Sequence, residues 1–130
     1  MIVVDASAFV ETLLQTPAAK TVSGRLFTSR QSLHAPHLID VEVAQTIRRL
    51  AANGEIEAER GRAALVDLAE FPLTRYQHNF LLPRIWALRN NVTAYDAAYV
   101  ALAEALDAPL LTRDRRLAAA PGHHAQIEVF

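Results

Sequence analysis

The sequence predicts an α/β fold: a single domain with a mainly parallel central sheet of about five short strands, sandwiched by helices. Three observations predict it. Short, largely apolar runs recur at residues 2–4, 32–35, 72–75, 110–111 and 127–130. Between them lie segments whose apolar residues return at threes and fours, the helical period. The two kinds of segment alternate along the chain, which is how parallel strands are joined by helical crossovers. A length of 130 residues fits one domain, 1–130, with a real core.

Each element has its own reason. Residues 2–4 are apolar on both faces, as in a central parallel strand, and the run ends at Asp5. Phe9, Val10, Leu13 and Leu14 then place a helix over residues 6–14. Thr16-Pro17 starts a second helix, with Pro at the first helical position, running from 18 to about 29. Residues 32–35 make the second strand, ended by Pro36. From His37 the period is helical again through Ile39, Val43, Ile47 and Leu50, and Asn53-Gly54 stops it. Glu42 lies on the flank of that stripe, about 60° from Ile39. Residues 56–71 form an amphipathic helix with Leu65, Leu68 and Ala69 inside, and residues 72–75 a short strand. Residues 80–89 form a helix with Leu81, Leu82, Ile85 and Trp86 on or near one face, which Pro83 permits if the helix starts just before it. Trp86 reads as a core or interface residue rather than a base-stacking platform.

Residues 90–106 are the most informative stretch. Thr93 stands at an N-cap and Asp96 follows three residues later, the capping-box spacing. The helix behind carries Ala97, Ala98, Ala101, Ala103 and Ala105, so it can lie close against a sheet. Asp107-Ala108-Pro109 is a turn, Leu110 and Leu111 form a buried strand, and Asp114 follows its end. Residues 115–119 are a short helix, Pro121-Gly122 a turn, and 127–130 the closing strand. His123 and His124 are adjacent but lack matched partners and read as loop residues.

Composition removes several classes. A hydrophobic content of 52% excludes disorder. No apolar run reaches ~18 residues, so no membrane-spanning helix is expected. The start, Met-Ile-Val-Val-Asp, lacks the basic region of a signal peptide. There is no cysteine, hence no disulfide or thiolate metal site, and a cytoplasmic location follows by default. With four glycines and none in a loop after a strand, a dinucleotide or P-loop site is excluded. The net charge of −1 by itself points neither towards nor away from nucleic acid.

Four acids then stand out together. Asp5 and Asp114 each follow a strand, Asp96 opens a helix, and Glu42 lies early on a helix that follows a strand. In a parallel sheet these points share the carboxyl edge. Each has a plain explanation alone, as a cap or a solvated acid; their coincidence asks for another. Two carboxylates repel by roughly 4 kcal/mol at 4 Å and an effective dielectric of 20, so such a cluster implies a cation. Oxygen ligands without His or Cys favour Mg²⁺ or Mn²⁺. The natural chemistry is phosphodiester hydrolysis. A phosphatase of the haloacid-dehalogenase type needs an Asp where this chain has Ser7, and a receiver domain needs a Lys near the last strands, whereas the single Lys is Lys20.

At these residues the chain resembles the PIN-domain ribonucleases, and most closely the VapC-type toxins of toxin–antitoxin pairs. The resemblance spans the chain and rests on Ile-Val-Val-Asp-Ala-Ser from Ile2, Glu42 within Asp-Val-Glu-Val, Thr-Ala-Tyr-Asp-Ala-Ala-Tyr-Val-Ala-Leu-Ala from Thr93, and Leu-Leu-Thr-Arg-Asp ending at Asp114. It implies that Asp5, Glu42, Asp96 and Asp114 are the catalytic, metal-holding acids, with Ser7 and Thr112 as supporting hydroxyls. It also implies dependence on Mg²⁺ or Mn²⁺, RNA cleavage, a homodimer, and inhibition by a cognate VapB-type antitoxin. Where some relatives carry a further acid after the fourth, this chain has Arg115-Arg116. Setting the four acids aside moves the net charge from −1 to +3, and Arg48, Arg49, Arg113, Arg115 and Arg116 are the expected RNA-facing cations. Phe27, Phe80 and Trp86 are expected on a surface covered by a second copy and by an antitoxin helix. The alternatives within the family are a nuclease of RNA processing or turnover without a toxin role, and a catalytically silent binding module.

Overall fold

The computed structural model describes residues 1–27 and 30–130. Its centre is one sheet of five strands: β1 (Ile2–Val4), β2 (Leu33–Pro36), β3 (Leu73–Tyr76), β4 (Leu110–Thr112) and β5 (Ile127–Val129). The spatial order is β3-β2-β1-β4-β5, and every neighbouring pair is parallel. The helices are α1 (Ala6–Leu14), α2 (Ala19–Phe27), α3 (Leu38–Ala52), α4 (Ala58–Glu70), α5 (Leu82–Ala87), α6 (Ala94–Leu106) and α7 (Arg115–Ala119). The end expected for the second helix, near Ser29, lies outside the described residues.

The winding decides where a site can form. From β1 the chain steps outward to β2 and β3, then returns to the other side of β1 for β4 and β5. Helices that cover the two halves diverge between β1 and β4, and that switch point opens a crevice at the carboxyl ends of the strands. Val4 pairs with Leu111, so Asp5 and Asp114 leave neighbouring strands at that crevice.

Burial follows the strand and helix patterns. Ile2, Val3 and Val4 are 0% exposed, as a strand buried on both faces requires. In α6 every residue from Ala97 to Ala103 is buried, and the alanines let the helix approach β1, β2 and β4. Gly61 serves the same end for α4, because a Cβ there would meet Ile47 Cγ2 of α3 at 3.0 Å. Phe9 and Phe71 meet edge to face at 4.8 Å, tying α1 to the end of α4.

Boundaries shift where local chemistry outweighs periodicity. Pro36 does not end β2 but belongs to it, because the N–H that bonds Tyr76 O at 2.8 Å is that of His37. A proline is thus tolerated at a ladder position with no donor to supply. The helix expected over 56–71 begins only at Ala58, after an extended Glu57. The one expected over 80–89 is a 3₁₀ turn, Asn79–Leu81, followed by α5 with Pro83 in its first turn. Its expected apolar face divides: Leu81 is 4% exposed, whereas Leu82 and Trp86 are 56% and 68% exposed. Trp86 is therefore no core residue; Arg89 lies over its ring at 4.7 Å. Among the described residues no helix is long and apolar enough to cross a membrane.

Candidate active site

Asp5 ends β1 and caps α1 at the same time. Its extended backbone places the carboxylate over the first turn, where Oδ1 accepts the Ala8 N–H at 3.0 Å. The Ser7 hydroxyl donates to the same oxygen at 2.6 Å, and the Thr112 hydroxyl donates to Oδ2 at 2.5 Å. Thr112 is the last residue of β4, fully buried, and accepts the Asp114 N–H at 3.0 Å. Ser7 in turn accepts the Arg113 N–H at 3.1 Å. Two hydroxyls therefore lock the segment after β1 to the segment after β4.

The other three acids face the same cleft, about 710 Å³ in volume. Its walls are the start of α1 with Asp5, Ser7 and Glu11, one face of α3 with Glu42, Gln45 and Arg49, the mouth of α6 with Asp96, and the segment carrying Arg113 and Asp114. Glu42 is half-buried, and its Oε1 accepts from the Tyr99 hydroxyl at 2.6 Å. Asp96 sits in the first turn of α6. Thr93 caps that helix by accepting the Asp96 N–H at 3.2 Å. Asp96 lines the cleft, where the Thr93 hydroxyl and the charge of Arg116 favour its ionised form. Asp114 caps α7 by accepting the Arg116 N–H at 2.9 Å.

Burial and like charge act together here. Burial raises the Asp5 carboxyl above the ordinary range against three hydrogen bonds that lower it, and the charge of Asp96 raises it further. Glu42 is raised by burial, partly offset by Tyr99, with Asp96 and Asp5 adding to the rise. Asp96 is raised by burial and then by Asp114. The Tyr99 phenol is pushed far up, first by burial and then by Glu42. Oxygen donors that resist ionisation in one another's presence fit a hard divalent cation. Among the described residues no trio of His, Asp or Glu side chains is already drawn tight enough to hold an ion. The acids ring the cleft rather than close it.

The arginines divide. Arg49 and Arg113 line the cleft, while Arg48, Arg115 and Arg116 are exposed and do not. Arg113 is paired with Glu11, and Arg116 stands 3.5 Å from Asp114. His123 and His124 form no metal pair: His123 contacts Leu117 O, and His124 turns to Glu104. Sequence reasoning passed over Tyr99, Tyr95 and Glu11. The spacing held a signal for one of them, since Tyr99 lies three residues from Asp96 and so on the same helix face. Glu11 similarly follows Ser7 by four.

A family model described as the PIN domain matches residues 2–122. The chain is 48% identical over 128 residues to Ribonuclease VapC1 of Mycobacterium tuberculosis, covering 98% of this chain and 96% of that protein. Among solved structures it is similar to Mycobacterium tuberculosis VapC20, a Sarcin-Ricin loop cleaving toxin, with a TM-score of 0.72, 15% identity, and coverage of 95% and 97%. It is also similar to VapBC2 from Rickettsia felis, bound to a DNA fragment from their promoter, with a TM-score of 0.71, 13% identity, and coverage of 99% and 98%. At those identities the two structures speak for the fold.

Proposed function

The chain belongs to the PIN-domain family and, within it, to the VapC ribonucleases, and on that premise we propose that it hydrolyses RNA phosphodiester bonds as the toxin of a toxin–antitoxin pair. The observation that carries the reading is the meeting of Asp5, Glu42, Asp96 and Asp114 around one cleft at the sheet's switch point. In this reading residues 1–130 are one catalytic domain that works in the cytoplasm.

Asp5, Asp96, Asp114 and Glu42 would hold Mg²⁺, with Mn²⁺ able to substitute. The chemistry supplied by such an ion when bound is activation of water and neutralisation of charge on the phosphate and the leaving oxygen. The chain's own contribution is preorganisation. Ser7 and Thr112 fix both oxygens of Asp5, and Tyr99 fixes Glu42. Among the described residues Arg49 is the cleft-wall cation without an ion pair, and it draws the RNA backbone there; Arg48, Arg113, Arg115 and Arg116 raise the positive potential around it. A homodimer and an antitoxin helix cover part of the apolar surface at Phe27, Phe80 and Trp86, which are 55%, 56% and 68% exposed.

The test is cleavage of RNA by the wild type and by Asp5→Ala, Asp96→Ala and Asp114→Ala, each checked for folding. Every variant should lose at least ~10²-fold in rate, since each acid helps stabilise developing charge. Near-wild-type cleavage by Asp96→Ala would sink the assignment.

A further inference from the structure

The acids explain where a phosphate is cut but not what holds the nucleoside beside it. Tyr95 offers an answer. It precedes Asp96 in the first turn of α6 and lines the same cleft, yet its side chain is not packed away: the residue is 62% exposed. Tyr99, one turn further along, is 2% exposed and spends its hydroxyl on Glu42. The two tyrosines share a helix face and do opposite things, one sealing the floor of the cleft and the other standing at its mouth. Across the opening, α3 presents Val41, 70% exposed and also in the cleft wall. An exposed aromatic ring and an exposed aliphatic side chain thus stand in the wall of the cleft that holds the four acids, beside the apolar residues Val10, Leu38 and Leu50. Neither is explained by the core, which α6 already supplies from Ala97 to Ala103.

We propose that Tyr95 is the stacking platform for the nucleobase next to the scissile phosphate. This rests on the nuclease reading above. An exposed ring beside a phosphate-handling site matches how proteins hold single strands, where base faces stack on aromatic side chains. In an A-form duplex those faces are already stacked on each other, and the ring would find no partner. Val41 supports the far edge of the base through apolar contact. The preference is for base shape and freedom, not for a hydrogen-bonded code, since every base has a π-face.

The experiment is a cycle of two changes on a short single-stranded RNA with one mapped cleavage site. The protein is wild type, Tyr95→Ala or Tyr95→Phe; the substrate carries either the natural base or an abasic residue beside the scissile phosphate. With the natural base, Tyr95→Ala should lower kcat/KM by about tenfold to a hundredfold, the range of one stacking contact. Tyr95→Phe should stay within about threefold, because the ring remains. On the abasic substrate wild type and Tyr95→Ala should be cut equally slowly, so that the two losses coincide instead of adding. Full additivity overturns the proposal, as does an unimpaired Tyr95→Ala. Normal RNA cleavage with escape from antitoxin inhibition would assign the ring to the partner protein and overturn it too. Failure of the wild type to cut any RNA would refute the nuclease reading itself, an outcome distinct from all of these.

Discussion

Replacing Thr112 with Val keeps the side-chain shape and removes one hydroxyl. Thr112 is 0% exposed, so no water stands in for its hydroxyl in the interior. The hydroxyl donates to Asp5 Oδ2 and accepts the Asp114 N–H. A hydrogen bond to a charged group contributes about 1.5–3 kcal/mol. Asp114 is partly exposed, so its N–H can turn to water and adds at most about 1 kcal/mol. The expected loss is ~2–4 kcal/mol near pH 7.5. For a chain of this length 1 kcal/mol moves the melting temperature by about 4 °C, giving a fall of roughly 8–16 °C. The pH dependence has a definite sign. Burial holds the Asp5 carboxyl above its ordinary range while Thr112 pulls it down. Without Thr112 the folded-state value rises further. A carboxyl whose folded value exceeds its unfolded one destabilises the fold when ionised, fully above the folded value, and this fades as pH falls through it. The deficit of Thr112→Val should therefore be largest above the folded-state value of Asp5 and shrink as pH falls through it. Thr112→Ser should recover most of it. Thermal and urea melts in chelator over a pH series are the assay. A deficit under about 0.5 kcal/mol, or one indifferent to pH, would show that Thr112 does not carry the Asp5 charge.

Three further outcomes are expected. Asp96→Asn should be at least as stable as wild type in chelator, because burial and Asp114 both oppose its ionisation. Millimolar Mg²⁺ should then stabilise wild type more, by about 1.4 kcal/mol when free metal is ten times Kd; equal destabilisation in both buffers would return Asp96 to a capping role. Tyr99→Phe removes the donor to Glu42, so the Glu42 carboxyl, already raised, climbs further. Its cleavage rate should drop more at pH 6 than at pH 8, and a parallel shift at both would contradict the positioning role. Light scattering should find a dimer, weakened by Trp86→Glu; a monomeric wild type would remove the interface from α5.

The fold was legible because its strands are short and bounded by distinctive residues. Ile2 to Val4 could hardly be anything but a buried strand, and Asp5 marks its end. Three of the acids could be picked out by the same reasoning, since Asp5 and Asp114 stand at helix N-caps just past strands and Asp96 lies in a first helical turn; Glu42, a turn inside α3, had only its place beside the apolar stripe. What could not be read was long-range. Nothing in the alanine-rich helix itself gave Tyr99 a polar partner, since its bond to Glu42 spans 57 residues. The pairing of Arg113 with Glu11, 102 residues away, was equally out of reach of the sequence. Between core and interface, the two places open to Trp86, periodicity could not choose, because it reports which residues share a face and not whether anything packs against it; at 68% exposure Trp86 is not in the core.

The tie between Thr112 and Asp5 joins positions 107 apart in the chain. Asp5 precedes β2, α3 and α6, yet its carboxylate is gripped only once β4 has paired beside β1. The segment through α6 carries Asp5, Glu42 and Asp96 but neither Thr112 nor Asp114. A fragment cut before β4 thus lacks both the hydroxyl that grips Asp5 and the fourth acid, so assembly of the acidic cluster is tied to completion of the sheet.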